Sequence, residues 1–383
     1  MDYLQSAKEL TDELTSIREY LHRHPELGNQ EFTTSAFVEK KLREIGLDVK
    51  RIIDTGLVAT LHGEGRNTGV KVAIRADMDA LPVEEATGCP FSSENPGVMH
   101  ACGHDIHMTS ALGTAMLLSE NRHSLDGDVV FLFQPNEERT GGAKRMIEQG
   151  ALEGVSAVFG GHVCPDLPLG KVGIRYGKFY AASDVYKVTF KGRSCHGATP
   201  EKGIDALLAA AETVTRLKEL TPSSGDRCVI STCLFNSGNV CNVIAGEAVI
   251  EGVIRTLGKD DKKEMQQKFR DTVNEVCDKY GATAEIDIWG SYDGVVNTDP
   301  ETAVMESSAR HILGNSDVVL LEEPTMVTED FGFFVEASSG SFCHIGAGCT
   351  ESLHSAHFLP DIKAAVIAAA LYAETAEQYL KNA

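Results

Sequence analysis

Apolar positions recur at helical spacing near the start of the chain. Leu10, Leu14, Ile17 and Leu21 mark one face of a helix expected over residues 6–21, which His24-Pro25 ends. Runs containing β-branched residues predict strands at 56–61 and 70–74. A helix is expected at 109–118. Short apolar runs at 129–133 and 155–159 read as buried strands. Strands alternating with helices predict an α/β domain on a largely parallel sheet.

The texture changes after Lys178. Residues 184–190 alternate as a strand, and 204–220 form an Ala/Leu-rich helix. Strands at 228–234 and 248–254, a helix at 261–279 and a strand at 283–288 follow. This β-α-β-β-α-β order predicts a small antiparallel sheet with two helices on one face. Residues 294–300 lead back to the first domain, and 364–380 form a terminal helix. The expected organisation is a larger domain of residues 1–181 and 294–383, with residues 182–293 inserted as a second domain.

The length of 383 residues suits two domains. Hydrophobic residues make up 42% and charged residues 24%, an ordinary globular balance. Asp and Glu total 56 against 35 Lys and Arg, a net charge of −21 that disfavours nucleic acid and anionic membranes as partners. The first residues show no signal-peptide pattern, and no apolar run reaches the roughly 18 residues of a membrane span. A soluble, cytoplasmic protein is expected. The ten cysteines form no Cys-x-x-Cys pair and read mostly as reduced, small hydrophobes.

The chemistry concentrates at His100-Ala101-Cys102-Gly103-His104-Asp105-Ile106-His107. Cysteine and histidine bind borderline-soft divalent metals, and a Cys-x-His pair after a turn can aim both side chains at one point. Downstream, Phe133-Gln134-Pro135-Asn136-Glu137-Glu138 ends an apolar strand in two adjacent carboxylates. Open α/β sheets bind ligands in the loops at that end of their strands. His162 is expected just past a second apolar strand, and His354 follows a glycine-rich stretch. Taken alone, Glu137-Glu138 is as readily a solvated loop and His162 a core histidine bonded to backbone. Together they suggest a metalloenzyme site.

In their order along the chain, "LHRHPELG", "RADMDALP", "HACGHDIH", "FQPNEE", "GGA", "HGATP", "NVI", "EDF" and "LHS" resemble the M20 metallopeptidase family. The likeness is to its amidohydrolase branch, which includes hippurate hydrolases, N-acyl-amino-acid amidohydrolases, N-acetyldiaminopimelate deacetylases and auxin-conjugate hydrolases. The resemblance implies a di-metal exopeptidase-like catalytic domain and an inserted ferredoxin-like lid and dimerisation domain. It implies two divalent metal ions, zinc or manganese with cobalt or nickel as alternatives, held by Cys102, His104, Glu138, His162 and His354. Glu137 is implied as the general base that activates a metal-bound water. His196 is implied to reach a partner subunit's site and donate to the oxyanion. Asn242 and Arg255 are similar to residues that hold the substrate carboxylate, and Asp79 to the aspartate that orients a ligand histidine. Asp77 reads as a loop cap. The small domain implies a homodimer.

The implied reaction is hydrolysis of an N-acyl amino acid to a carboxylic acid and a free amino acid. A dipeptidase or aminopeptidase of the same family, and a non-catalytic metal-binding relative, are the alternatives. Four departures stand out. Asn136 replaces a small residue, Cys195 stands where glycine is common, and the stretches "MVTEDF" and "HSAHFLPD" are atypical. The last two bear on substrate identity. Cys164, two residues after His162, is a further candidate to line the site.

Overall fold

The computed structural model describes residues 1–383. The chain divides into two compact units, one of Met1–Phe179, Val296–Glu323 and Asp330–Ala383, the other of Tyr180–Val295 and Pro324–Glu329.

The first unit is built on an eight-stranded mixed sheet. Its centre is a parallel run: Asp128–Gln134, Lys71–Asp77, Val155–Cys164 and Gly340–Gly346. Gly56–Leu61 adds antiparallel to Asp128–Gln134, and Asp48–Ile52 antiparallel to Gly56–Leu61. The short strands Val172–Ile174 and Val318–Leu320 finish the other edge. The central strands are almost wholly buried, which explains the apolar runs within Lys71–Asp77 and Asp128–Gln134. The helix His104–Glu120 packs against the terminal helix Ile362–Asn382, and both are buried on nearly every face. No helix is long and apolar enough to cross a membrane.

The second unit carries a four-stranded antiparallel sheet in the order Thr283–Tyr292, Ala182–Lys191, Glu247–Thr256, Val229–Ser237. The helices Ala206–Leu217 and Lys259–Tyr280 share one core with it, around Tyr186, Val188, Phe190, Ile250 and Phe269. Glu247–Thr256 alternates buried with half-exposed positions, as a sheet covered on one face must.

Three expectations need correction. The first helix is two, Tyr3–Glu9 and Thr11–Arg23, because Leu10 takes a turn conformation between them. The helix expected from residue 109 begins at His104, directly after Gly103 in a left-handed conformation (φ 86°). The strand expected to stop at 159 continues to Cys164, so His162 lies within the strand and pairs in register with His344. Gly160 and Gly161 do not break it. They make room for neighbours, since a Cβ on Gly161 would sit 2.7 Å from the Tyr372 hydroxyl.

Candidate active site

The carboxyl ends of the parallel strands converge on one cluster, where open α/β sheets place their ligands. Lys71–Asp77 leads to Asp79, and Asp128–Gln134 to Glu137 and Glu138. Val155–Cys164 supplies His162. The turn before helix His104–Glu120 supplies Cys102 and His104. A Cβ on Gly103 would lie 2.4 Å from Val163 Cγ2, so this turn approaches the strand as only glycine allows. His354 also takes a left-handed conformation (φ 65°), and its N–H donates to the Ala101 carbonyl at 2.8 Å, tying its loop to the Cys102 turn.

Hydrogen bonds at Nδ1 orient His162 and His104. His162 Nδ1 donates to the Val163 carbonyl (2.7 Å), leaving Nε2 3.3 Å from Cys102 Sγ. His104 Nδ1 donates to the Asp79 carbonyl (2.8 Å). Its Nε2 is buried with no hydrogen-bond partner, and so is Glu138 Oε1, 3.8 Å away. His354 Nε2 stands 3.5 Å from the same Glu138 oxygen. A buried donor or acceptor left without a partner costs about 1–3 kcal/mol, so two facing one another need something between them. Donor atoms of Cys102, His104 and His162, and those of Cys102, Glu138 and His354, lie within 4.8 Å of one another in each group. Thiolate, imidazole and carboxylate suit a borderline divalent ion, and this donor set fits metal.

Burial and the nearby Glu138 and Glu137 push the Cys102 thiol up. Burial opposes charge on His104, but Asp77, Asp79 and Glu138 outweigh it and raise the group to about 10. Burial, then His107, holds His162 well down, so its imidazole is neutral.

Around these groups lies a shell that the sequence reading largely passed over. Asp77 is no loop cap. It is fully buried at the end of its strand, accepting from His107 Nδ1 (2.7 Å) and Arg75 (2.7 Å). His107 Nε2 in turn accepts the Val163 N–H (3.1 Å), so both ring nitrogens are committed and His107 is not free to bind metal. Arg75 also donates to Gln134 (2.9 Å) and Asp330 (3.0 Å). Asp79 accepts the main-chain N–H groups of Glu137 (3.0 Å) and Glu138 (3.1 Å) on its two oxygens. His107, Asp77 and Asp330 sit inside the stretches "HACGHDIH", "RADMD" and "EDF", and the polar first turn of a buried helix was the signal that could have found His107.

His196, Asn242 and Arg255 belong to the second unit. His196 is exposed, and its Nδ1 accepts the Ala198 N–H (3.1 Å), which puts the proton of the neutral ring on Nε2. The Gly197 N–H donates to the Asn242 carbonyl (2.8 Å), holding the two loops together. Arg255 is half-buried on its strand and donates to Thr328 Oγ1 (2.5 Å).

A buried, metal-suited cluster at the carboxyl ends of a parallel sheet defines a metallohydrolase-type centre. Residues 73–378 match the peptidase family M20/M25/M40, and the chain belongs to that family. It is 34% identical to an N-acetyl-L-cysteine deacetylase of Bacillus subtilis, over 97% of this chain and 89% of that one. It is 35% identical to thermostable carboxypeptidase 2 of Saccharolobus solfataricus, over 96% of each. A solved dinuclear metal-binding peptidase of the M20 family from Bacillus subtilis shares the fold at a TM-score of 0.89, with 33% identity over 98% of this chain and 100% of that one. The protein is accordingly a hydrolase of the M20 family.

Proposed function

We propose that the protein hydrolyses the amide bond of N-acyl amino acids, with Glu137 as general base. The observation that carries this is the placement of the adjacent carboxylates Glu137 and Glu138 at the donor cluster. Glu138 faces the histidine donors, while Asp79 pins the main-chain N–H groups of both glutamates. The proposed ligands of two divalent ions are Cys102, His104, Glu138, His162 and His354. Zinc is favoured by the thiolate and imidazoles, with manganese, cobalt or nickel as alternatives. Bound there, such ions polarise the scissile carbonyl and make water a nucleophile at neutral pH.

The chain's own groups then move the protons. Glu137 takes one from the attacking water and delivers it to the nitrogen of the departing amino acid, so that water and amide give acid and amine. His196, proton on Nε2, is proposed to donate to the developing oxyanion in a partner subunit's site. Arg255 and Asn242 are proposed to hold the free carboxylate of the amino acid, the feature that an N-acyl amino acid and a carboxypeptidase substrate share. A homodimer through the second unit is supported by its edge strand Val229–Ser237, where Leu234 and Phe235 are exposed, and by the exposed Leu207 and Leu208 of the helix Ala206–Leu217.

The test is a release assay with metal-loaded protein on N-acetyl and N-benzoyl amino acids, their C-terminal amides, and dipeptides. The proposal expects turnover of the acyl amino acids and little of the amides. Turnover of dipeptides alone overturns it.

A further inference from the structure

The loop carrying Glu137 is held by three buried carboxylates drawn from distant parts of the chain. Asp79 accepts the N–H groups of Glu137 and Glu138. Asp330 Oδ2 accepts those of Gly142 (2.9 Å) and Ala143 (3.0 Å). The third is Glu31, whose Oε1 accepts the N–H of Asn136 at 2.9 Å, one residue before Glu137.

Glu31 is fully buried, which is costly for a carboxylate unless its oxygens are engaged. They are: Oε1 also takes the Asn29 N–H (3.0 Å), and Oε2 the Thr55 hydroxyl (2.8 Å). A helix-capping duty does not explain this placement. Glu31 stands at the N-cap of Phe32–Ile45, yet its side chain makes no cap bond. That work falls to Glu26, which accepts the N–H groups of Thr33 (3.1 Å) and Thr34 (2.8 Å). Glu31 instead turns back to Asn136, the residue before Glu137. Asn136 is left-handed (φ 61°), a conformation that asparagine adopts more readily than other non-glycine residues but that the neighbouring groups must still select. Gly28, on the same segment as Glu31, closes the other side: a Cβ there would lie 2.2 Å from Asn136 Oδ1.

We propose that Glu31 is a positioning residue for Glu137: by anchoring the Asn136 amide, it fixes the direction in which the next residue's carboxylate points. This rests on the reading of Glu137 as the general base. Hydrogen-bond geometry, rather than charge, is what the role requires. A glutamine can reproduce it, its amide oxygen accepting the two N–H groups while the Thr55 hydroxyl rotates to accept from its nitrogen.

The experiment compares Glu31→Ala, Glu31→Gln and Glu137→Ala in the full-length, metal-reconstituted protein, reading kcat, KM, the pH–rate profile and bound metal. Misplacing a reacting group by about 1 Å costs on the order of 10²-fold. Glu31→Ala is therefore expected to lose about that much kcat, with KM and metal content unchanged, and Glu31→Gln to recover most of it with an unshifted pH profile. A wild-type kcat in Glu31→Ala overturns the inference, and so does a loss that tracks lost metal. A Glu31→Gln variant as poor as the alanine, with a shifted acid limb, also overturns it, because charge would then be the operative property. Should Glu31→Ala not fold, Thr55→Val frees one oxygen of Glu31 and is expected to lower kcat several-fold at constant KM; an unchanged kcat there overturns the inference equally. If Glu137→Ala is inactive while the Glu31 variants are normal, only the role of Glu31 fails. If Glu137→Ala is active, the reading of the base fails.

Discussion

His107 gives its Nδ1 proton to Asp77 at 2.7 Å and takes the Val163 N–H on its other nitrogen. The ring thus bridges two neighbouring strands directly beneath the candidate metal cluster. Replacing it by alanine leaves Asp77 short of a donor and the Val163 amide without an acceptor, both in the interior. Breaking such a buried charged network costs about 3 kcal/mol. His107→Ala is expected to unfold several degrees earlier in a thermal melt, and to bind metal at least about tenfold more weakly by competition with a chelator. An unchanged melt would show that the bridge is dispensable.

Gly103 is a second sensitive point, for two separable reasons. Its φ of 86° disfavours any side chain, and a Cβ would collide with Val163 Cγ2 at 2.4 Å. Gly103→Ala is expected to cost about 2–4 kcal/mol and to displace Cys102 and His104, lowering bound metal. Adding Val163→Ala removes the collision but not the backbone strain. The double variant is therefore expected to be more stable than Gly103→Ala alone, a sign opposite to that of Val163→Ala in the wild-type background. Additive losses would place the damage elsewhere.

The pH dependence of stability follows from a buried ion chain at the start of the molecule. Asp105 accepts from Arg18 (2.9 Å) and His22 Nδ1 (2.8 Å), and His22 Nε2 faces Glu85 at 3.2 Å. Burial opposes charge on His22, but Asp105 and Glu85 prevail and lift it to about 9. A histidine raised in the folded state contributes its full stabilisation below its ordinary value of about 6.5, and loses it as pH rises through the folded value. For Glu85 burial is again opposed and overcome, chiefly by His22 and the Ser93 N–H, and the group falls to about 2. Its contribution is complete above the ordinary carboxylate range and disappears as pH falls toward 2. The chain therefore stabilises most between about pH 4.5 and 6.5. Melting temperatures of the wild type should decline between pH 6.5 and 9, by the equivalent of at most about 3 kcal/mol, and His22→Gln should flatten that decline. An equally steep decline in the variant would assign it to other groups.

How much of this was legible in the sequence depended on what each residue's neighbours supply. The α/β core could be read because most of its central strands contain short apolar runs. The strand Gly340–Gly346 escaped, since "GSFCHIG" neither alternates nor looks apolar throughout, yet every residue is buried. The helix at His104 was placed five residues late because His104, Asp105 and His107 look like a polar loop. They are buried only because Asp79, Arg18, His22 and Asp77 pair with them, and those partners lie 25 to 87 positions away. The candidate ligands stood out by residue type and by their places after apolar strands. Glu31 gave no such signal: one glutamate in a polar turn looks solvated until the fold sets Asn136 against it.

Counting bound metal and measuring turnover in one preparation of Glu137→Gln separates the general base from the metal ligands. Losing a positioned general base costs about 10²–10⁴-fold. Two divalent ions per chain are expected in both the variant and the wild type, with the variant's kcat on an N-acyl amino acid reduced by about 10³-fold. Wild-type turnover with the ions in place would contradict the role of Glu137.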